Sequence, residues 1–123
     1  MTDKIQICVI WQSLVVDAYR RFFYLLESNS KLSVHLIAPE YFEELGTQRV
    51  SCTPFLKDKA NHSILPVLSP HTQIVWFRGL TEVLNAQKAK SKFPLVILCF
   101  GEPYSPTSLG VWIAARRALG ADF

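Results

Sequence analysis

Two apolar runs, IQICVIW at residues 5–11 and LSVHLIA at 32–38, flank a segment whose apolar side chains recur at three- and four-residue spacing. The runs are rich in β-branched residues and read as buried strands. Between them Val15, Val16, Tyr19, Phe22, Phe23 and Leu26 form one apolar stripe of a predicted helix. Ser13 stands ahead of that helix, Asp17 near its start suits the positive end of its dipole, and Ser28-Asn29-Ser30 ends it. Strand, helix, strand in this order demands parallel strands joined by a right-handed crossover. That one unit excludes an all-helical bundle and an all-antiparallel barrel.

The remaining sequence extends the pattern. Residues 40–45 suggest a short helical turn ending at Gly46. Residues 49–56 and 63–68 have strand-like content around the polar turn KDKANH at 57–62, which predicts an inserted hairpin with Pro54 and Pro66 in edge positions. Residues 76–90 read as a helix burying Leu80, Val83 and Leu84, with Lys88, Lys90 and Lys92 towards its negative end. FPLVILCF at 93–100 is the most hydrophobic stretch and predicts a central strand covered on both faces. A last helix over 105–119 takes Ser105 as N-cap, Pro106 at its first position and Gly120 as its stop. The expected architecture is a single α/β domain over residues 1–123, with a Rossmann-like, open, mostly parallel sheet, helices on both faces and an inserted β-hairpin.

Composition narrows the function classes. With 50% hydrophobic and 19% charged residues the chain can bury a core. A net charge of +3 favours anionic partners such as phosphates or a lipid surface, but is too small to indicate nucleic acid. The scattered Cys8, Cys52 and Cys99 give neither a disulfide framework nor a zinc site, which leaves reduced thiols in a cytoplasmic compartment as the simplest expectation. No run approaches the roughly 20 apolar residues of a membrane span, and the alternation after Asp3 is that of a strand rather than a signal peptide.

The stretch CFGEPYSPTSLG at 99–110 is the most suggestive for chemistry. Ligands of open parallel sheets bind at the carboxyl ends of strands where the strand order reverses. The expected reversal brings Trp11, Gln12 and Ser13 together with Gly101, Glu102, Tyr104 and Ser105, each group leading into a helix whose free N–H donors suit an anion. Gly101 lets backbone approach closely, and Glu102 and Tyr104 supply hydrogen-bonding groups. A plainer reading stands beside this one, in which Glu102 is a solvated loop acid and Pro103 and Ser105 only shape the turn. His71, ahead of an aromatic-rich helix, either contacts substrate or is structural; His35 and His62 carry no functional signal. The absence of GxGxxG after the first strand excludes a dinucleotide oxidoreductase, and WQS there lacks the acids of a signalling receiver.

Four segments in order resemble the N-terminal domain of family 4 glycosyltransferases. They are VVDAYRRFFYLL, LSVHLIAPEYFEE, HTQIVWFRGLTEVL (with His71, Phe77, Gly79 and Leu80) and the EPYS that follows the apolar strand. The resemblance covers nearly the whole chain. Many members carry a Gly-Gly loop after the first strand where this chain reads WQSLVV, and Arg78 stands where proline is common. The resemblance implies the acceptor-side half of a two-domain enzyme, the N-terminal fragment of a longer chain whose missing C-terminal domain binds the nucleotide-sugar donor. On that basis this domain binds no cofactor or metal of its own. The acceptor, a sugar or lipid-linked hydroxyl, lies over Glu102, Tyr104, Ser105, Gln12, Ser13 and His71. Membrane-associated members use a basic aromatic surface. The Tyr19–Tyr24 aromatics with Arg20 and Arg21 would make a peripheral contact with the anionic inner face of the membrane. The competing class is a non-catalytic α/β binding module.

Overall fold

A computed structural model describes residues 2–43, 49–55, 61–69, 75–101 and 104–120. Its centre is a four-stranded parallel sheet in the order β5-β2-β1-β8, built from Ile5–Ile10 (β1), Leu32–Pro39 (β2), Asn61–Leu65 (β5) and Val96–Cys99 (β8). β1 pairs with β2 from Ile5↔Leu32 to Ile10↔Ile37, and with β8 from Ile7↔Val96 to Ile10↔Cys99. The strand order therefore reverses at β1, with later strands added on both of its sides.

The pleat sends alternate side chains of β1 into two separate cores. Ile7 and Val9 pack with Leu14, Phe23, Val34 and Leu36 under α1 (Arg21–Glu27). Cys8 and Ile10 pack with Leu80, Leu84, Val111 and Ala115 under α2 (Leu80–Lys88) and α3 (Pro106–Leu119). Helices thus cover both faces. From Ile7 to Ile10 β1 is continuously apolar because neither of its faces meets water there, and the buried Gln6 amide donates to the Gln87 side chain at 2.8 Å.

Two small antiparallel pairs flank the sheet. β3 (Tyr41–Glu43) pairs with β4 (Arg49–Ser51), and β6 (Val67–Ser69) with β7 (Trp76–Phe77). The hairpin expected between 49–56 and 63–68 is not formed. β4 turns back onto β3, where a helical turn was expected, while β5 joins the main sheet beside β2 with His35↔Asn61 and Ile37↔Ser63. Both segments have strand propensity, and propensity does not specify a partner. Likewise residues 76–77 are strand, and the helix begins only at Leu80 behind Gly79, whose φ of 79° is a left-handed turn that favours glycine.

The first helix departs furthest from expectation. Residues 12–20 make two 3-10 turns, Gln12–Val15 and Asp17–Tyr19, and α1 spans only seven residues. Of the expected apolar stripe Phe23 is buried, but Tyr19 and Phe22 are 50% and 62% exposed. Arg20, expected on the outer face, is fully enclosed. The last helix matches its expected bounds. The Ser108 N–H donates to the Ser105 side chain at 3.2 Å, Pro106 opens the first turn and Gly120 closes it with φ 74°.

α3 crosses β7 at Gly110, where a Cβ would come within 2.9 Å of the Trp76 ring. Gly110→Ala gains about 1 kcal/mol of helix propensity but incurs an overpacking cost of about 1–3 kcal/mol. The expected net result is a loss of about 1 kcal/mol in urea unfolding, where an ordinary helix glycine would show a gain.

Candidate functional site

The carboxyl ends of β1 and β8 meet as the fold class requires. The Phe100 N–H donates to the Ile10 carbonyl at 3.0 Å and the Trp11 N–H to the Ile37 carbonyl at 3.3 Å. Directly beyond, the Trp11 and Phe100 rings stack at 4.9 Å between centroids, and Tyr19 and Phe23 set their edges on Trp11 at 5.1 and 6.5 Å. This aromatic cluster occupies the switch point on the α1 side. Phe100 remains 38% and Tyr19 50% exposed, so part of the cluster forms an accessible surface.

On the α3 side of the same rim lies a groove of about 640 Å³ between β8 and α3. Cys99, Gly101, Tyr104 and Ser105 line its upper end, and Ile97, Leu109 and Trp112 its flank. The alternation of β8 divides the two features, since Cys99 faces the groove and Phe100 the aromatic cluster.

The structure brings together four of the expected site residues and separates them into two pairs. Tyr104 and Ser105 border the groove, and Tyr104 is 99% exposed. Gln12 and Ser13 sit at the exit of β1 in the 3-10 turn Gln12–Val15, outside the groove lining. Glu102 and His71 lie outside the described residues.

The expected pair of helix N-termini reduces to one. α1 starts at Arg21, well beyond the rim. At α3 the Pro106 position has no N–H, and the Ser105 oxygen already accepts from Ser108. The rim thus has fewer main-chain donors for phosphate than two fresh helix starts would give. Nor does Gly101 mark a close approach, since a Cβ there would meet only the Ser108 Oγ, at an ordinary 3.6 Å.

Thiol chemistry is disfavoured at this rim. Cys99 is exposed at the groove, but partial desolvation pushes its thiol up, a hydrogen bond with Ser108 working the other way. Cys8, beneath it in the core, is pushed up to about 12 by burial. Among the described residues no group of three His, Cys, Asp or Glu side chains gathers to hold a metal ion. The described rim offers an aromatic plane on one side and an apolar groove edged by hydroxyls on the other.

The surface expected to meet an anionic membrane is altered by the enclosure of Arg20. Its guanidinium donates to the carbonyls of Leu14, Val15, Thr53 and Pro54 instead of facing outward. Arg21 stays outside, paired with Asp17 at 3.7 Å, beside the exposed Phe22 and Leu25. Among the described residues no helix is long and apolar enough to cross a membrane. Sequence reasoning places Trp11 at the switch point without giving its ring a role and misses Phe100, although an aromatic residue ending each of two adjacent strands is visible in the sequence. No family model, no curated protein and no solved structure matches the chain.

Proposed function

We propose that this chain is the acceptor-side half of a glycosyltransferase that moves a sugar from a nucleotide-sugar donor to an acceptor hydroxyl. The observation that carries the reading is the convergence of residues 10–13 with 99–101 and 104–105 at the reversal point of the parallel sheet. Ligands of such sheets bind at this position. The partly exposed Trp11–Phe100–Tyr19 surface offers an aromatic face to a sugar ring, and Tyr104 and Ser105 offer hydroxyls to its polar edge. The shortage of phosphate donors at the rim agrees with a donor nucleotide held elsewhere, by a C-terminal domain.

In this reading Glu102 orients a hydroxyl of acceptor or donor. Glu102→Gln in the complete gene product is expected to lower transfer from labelled nucleotide sugars by about ten- to a hundredfold, the loss of one charged hydrogen bond worth about 1.5–3 kcal/mol. Circular dichroism should be unchanged. Undiminished transfer would return Glu102 to an ordinary loop acid.

A second reading, a non-catalytic binding module, is favoured by the absence of any carboxylate or imidazole among the described groove-lining residues. Glycosides that quench Trp11 fluorescence, with no transfer from any nucleotide sugar, would select it.

A further inference from the structure

We infer that β5 is an acid-released edge of the sheet: a proton taken up by His35 frees β5 from β2 while the β1–β2 pair stays closed. The inference is independent of the sugar-transfer reading and rests on how the imidazole is enclosed.

His35 sits within β2 and is 5% exposed. Its Nε2 lies 2.7 Å from the Ser63 hydroxyl, a side-chain hydrogen bond across the β2–β5 seam. Its Nδ1 is buried and has no hydrogen-bond partner among the described residues. A neutral ring meets this setting at least cost with its proton on Nε2, donating to Ser63, and Nδ1 left as a bare acceptor. A second proton has to go on Nδ1, where burial leaves it no acceptor.

The surrounding groups do not compensate. Lys90, just past α2, and His62 on β5 both act against a further proton on the ring. From β1, Cys8 stands level with His35 in the register and stays a neutral thiol. Gln6 of β1 and Gln87 of α2 are uncharged and bonded to each other. Protonated His35 therefore gains a partner only by reaching water.

β5 is the element that can give way. It lies at one end of the sheet order, and among the described residues it pairs with β2 alone. Asn61 and Ile64 are exposed, His62 and Ser63 are half-buried, and Leu65 alone of the strand is buried in the core. On the other side of β2, β1 is buried from Gln6 to Ile10 and cannot part without opening both cores. Release of β5 costs the Ser63 bond and the stack of His62 on Phe55, uncovers little apolar surface, and brings the His35 ring to water.

Main-chain hydrogen bonds report the two seams separately. The Glu40 N–H donates to the Leu65 carbonyl and the Trp11 N–H to the Ile37 carbonyl. In these parallel registers the amides of Leu36, Ala38, Ser63 and Leu65 close the β2–β5 seam, and those of Val9 and Ile37 close the β1–β2 seam.

The test is amide exchange of the ¹⁵N-labelled 123-residue chain, read by NMR from pH 7 to about 4.5 and corrected for the intrinsic rate at each pH. The ring takes its proton near pH 6.5 in the open form and only near 4 in the closed one, so the open form gains as pH falls between them. Protection at Leu36, Ala38, Ser63 and Leu65 should fall about tenfold or more, while Val9 and Ile37 keep theirs. His35→Gln, which takes up no proton, should hold the β5 amides level over the same range. The wild-type contrast between the seams decides by itself if the glutamine variant does not fold. Unchanged protection at the β5 amides overturns the inference. So does an equal loss at both seams, which is global unfolding, or the same selective loss in His35→Gln, which assigns the release to another group.

Discussion

Arg20→Met is expected to destabilise the chain by about 3–5 kcal/mol, the usual cost of removing one partner from a buried charged network. Arg20 is fully buried and acts as a fastener between two segments. Its Nε donates to the Leu14 carbonyl at 2.6 Å, and its two terminal nitrogens donate to Thr53 at 2.7 Å, Pro54 at 3.0 Å and Val15 at 3.1 Å. The guanidinium lies 3.6 Å over the Phe55 ring, which adds a cation–π contact. Methionine fills much of the volume and supplies none of the donors. The Val15 carbonyl would keep the Thr53 N–H and hydroxyl as partners, so the loss falls on Leu14, Thr53 and Pro54. Arg20→Lys should lie between, since one ammonium cannot span carbonyls on both segments. In thermal unfolding the methionine variant should melt about 10–20 °C lower. A change below 1 kcal/mol in urea unfolding would show that the fastener is dispensable.

The same residue explains why the first helix was misread. Apolar spacing over residues 15–26 is helical, and in the absence of tertiary contacts a continuous helix is its natural product. The Leu14 and Val15 carbonyls, which a continuous helix would use in its own ladder, instead face the Arg20 guanidinium. Val16 is extended, with φ −108° and ψ 130°. A charged residue in an Arg20-Arg21 pair looks like the solvent face of a helix, and nothing local announces that Arg20 is the enclosed one. Of the basic aromatic surface expected for membrane contact, Arg21, Tyr19 and Phe22 remain exposed and Arg20 does not.

The parallel sheet was legible because its evidence is local. The sequences of β1 and β2 and the segment between them suffice to require a crossover, and the N-terminal signals of α3, Ser105 and Pro106, are adjacent in sequence. Pairing between distant segments was not, as β4 and β5 show: both were recognisable as strands, and neither took the predicted partner. At the rim the positions were legible and the chemistry was not. Residues 12–13 and 104–105 do flank the switch point, but Ser105 is engaged in capping and the surface between them is aromatic. For β8, sequence and structure disagree in a productive way. The composition predicts a central strand, whereas among the described residues β8 pairs only with β1, beside an exposed apolar groove.

Acid should weaken the fold through His35 over a definite window. The ring is buried on β2, its Nε2 2.7 Å from the Ser63 hydroxyl of β5, with Phe55 stacked on His62 nearby at 4.3 Å. Burial, and then the charges of Lys90 and His62, push its pKa from 6.5 down to about 4. The folded state therefore keeps the ring neutral where the unfolded chain takes up a proton. The stability this secures is fully present above pH 6.5, falls as pH drops through the interval, and is gone below about 4. At about 1.4 kcal/mol per pH unit the full loss is about 3 kcal/mol. Other groups titrate in the same range, so the measurement is the difference in unfolding free energy between wild type and His35→Gln, whose amide can still bond Ser63. That difference should change by about 3 kcal/mol from pH 7 to pH 4 and level off below, because glutamine takes up no proton in either state. Parallel curves across the interval would mean that the His35 ring accepts its proton without disturbing the β2–β5 seam.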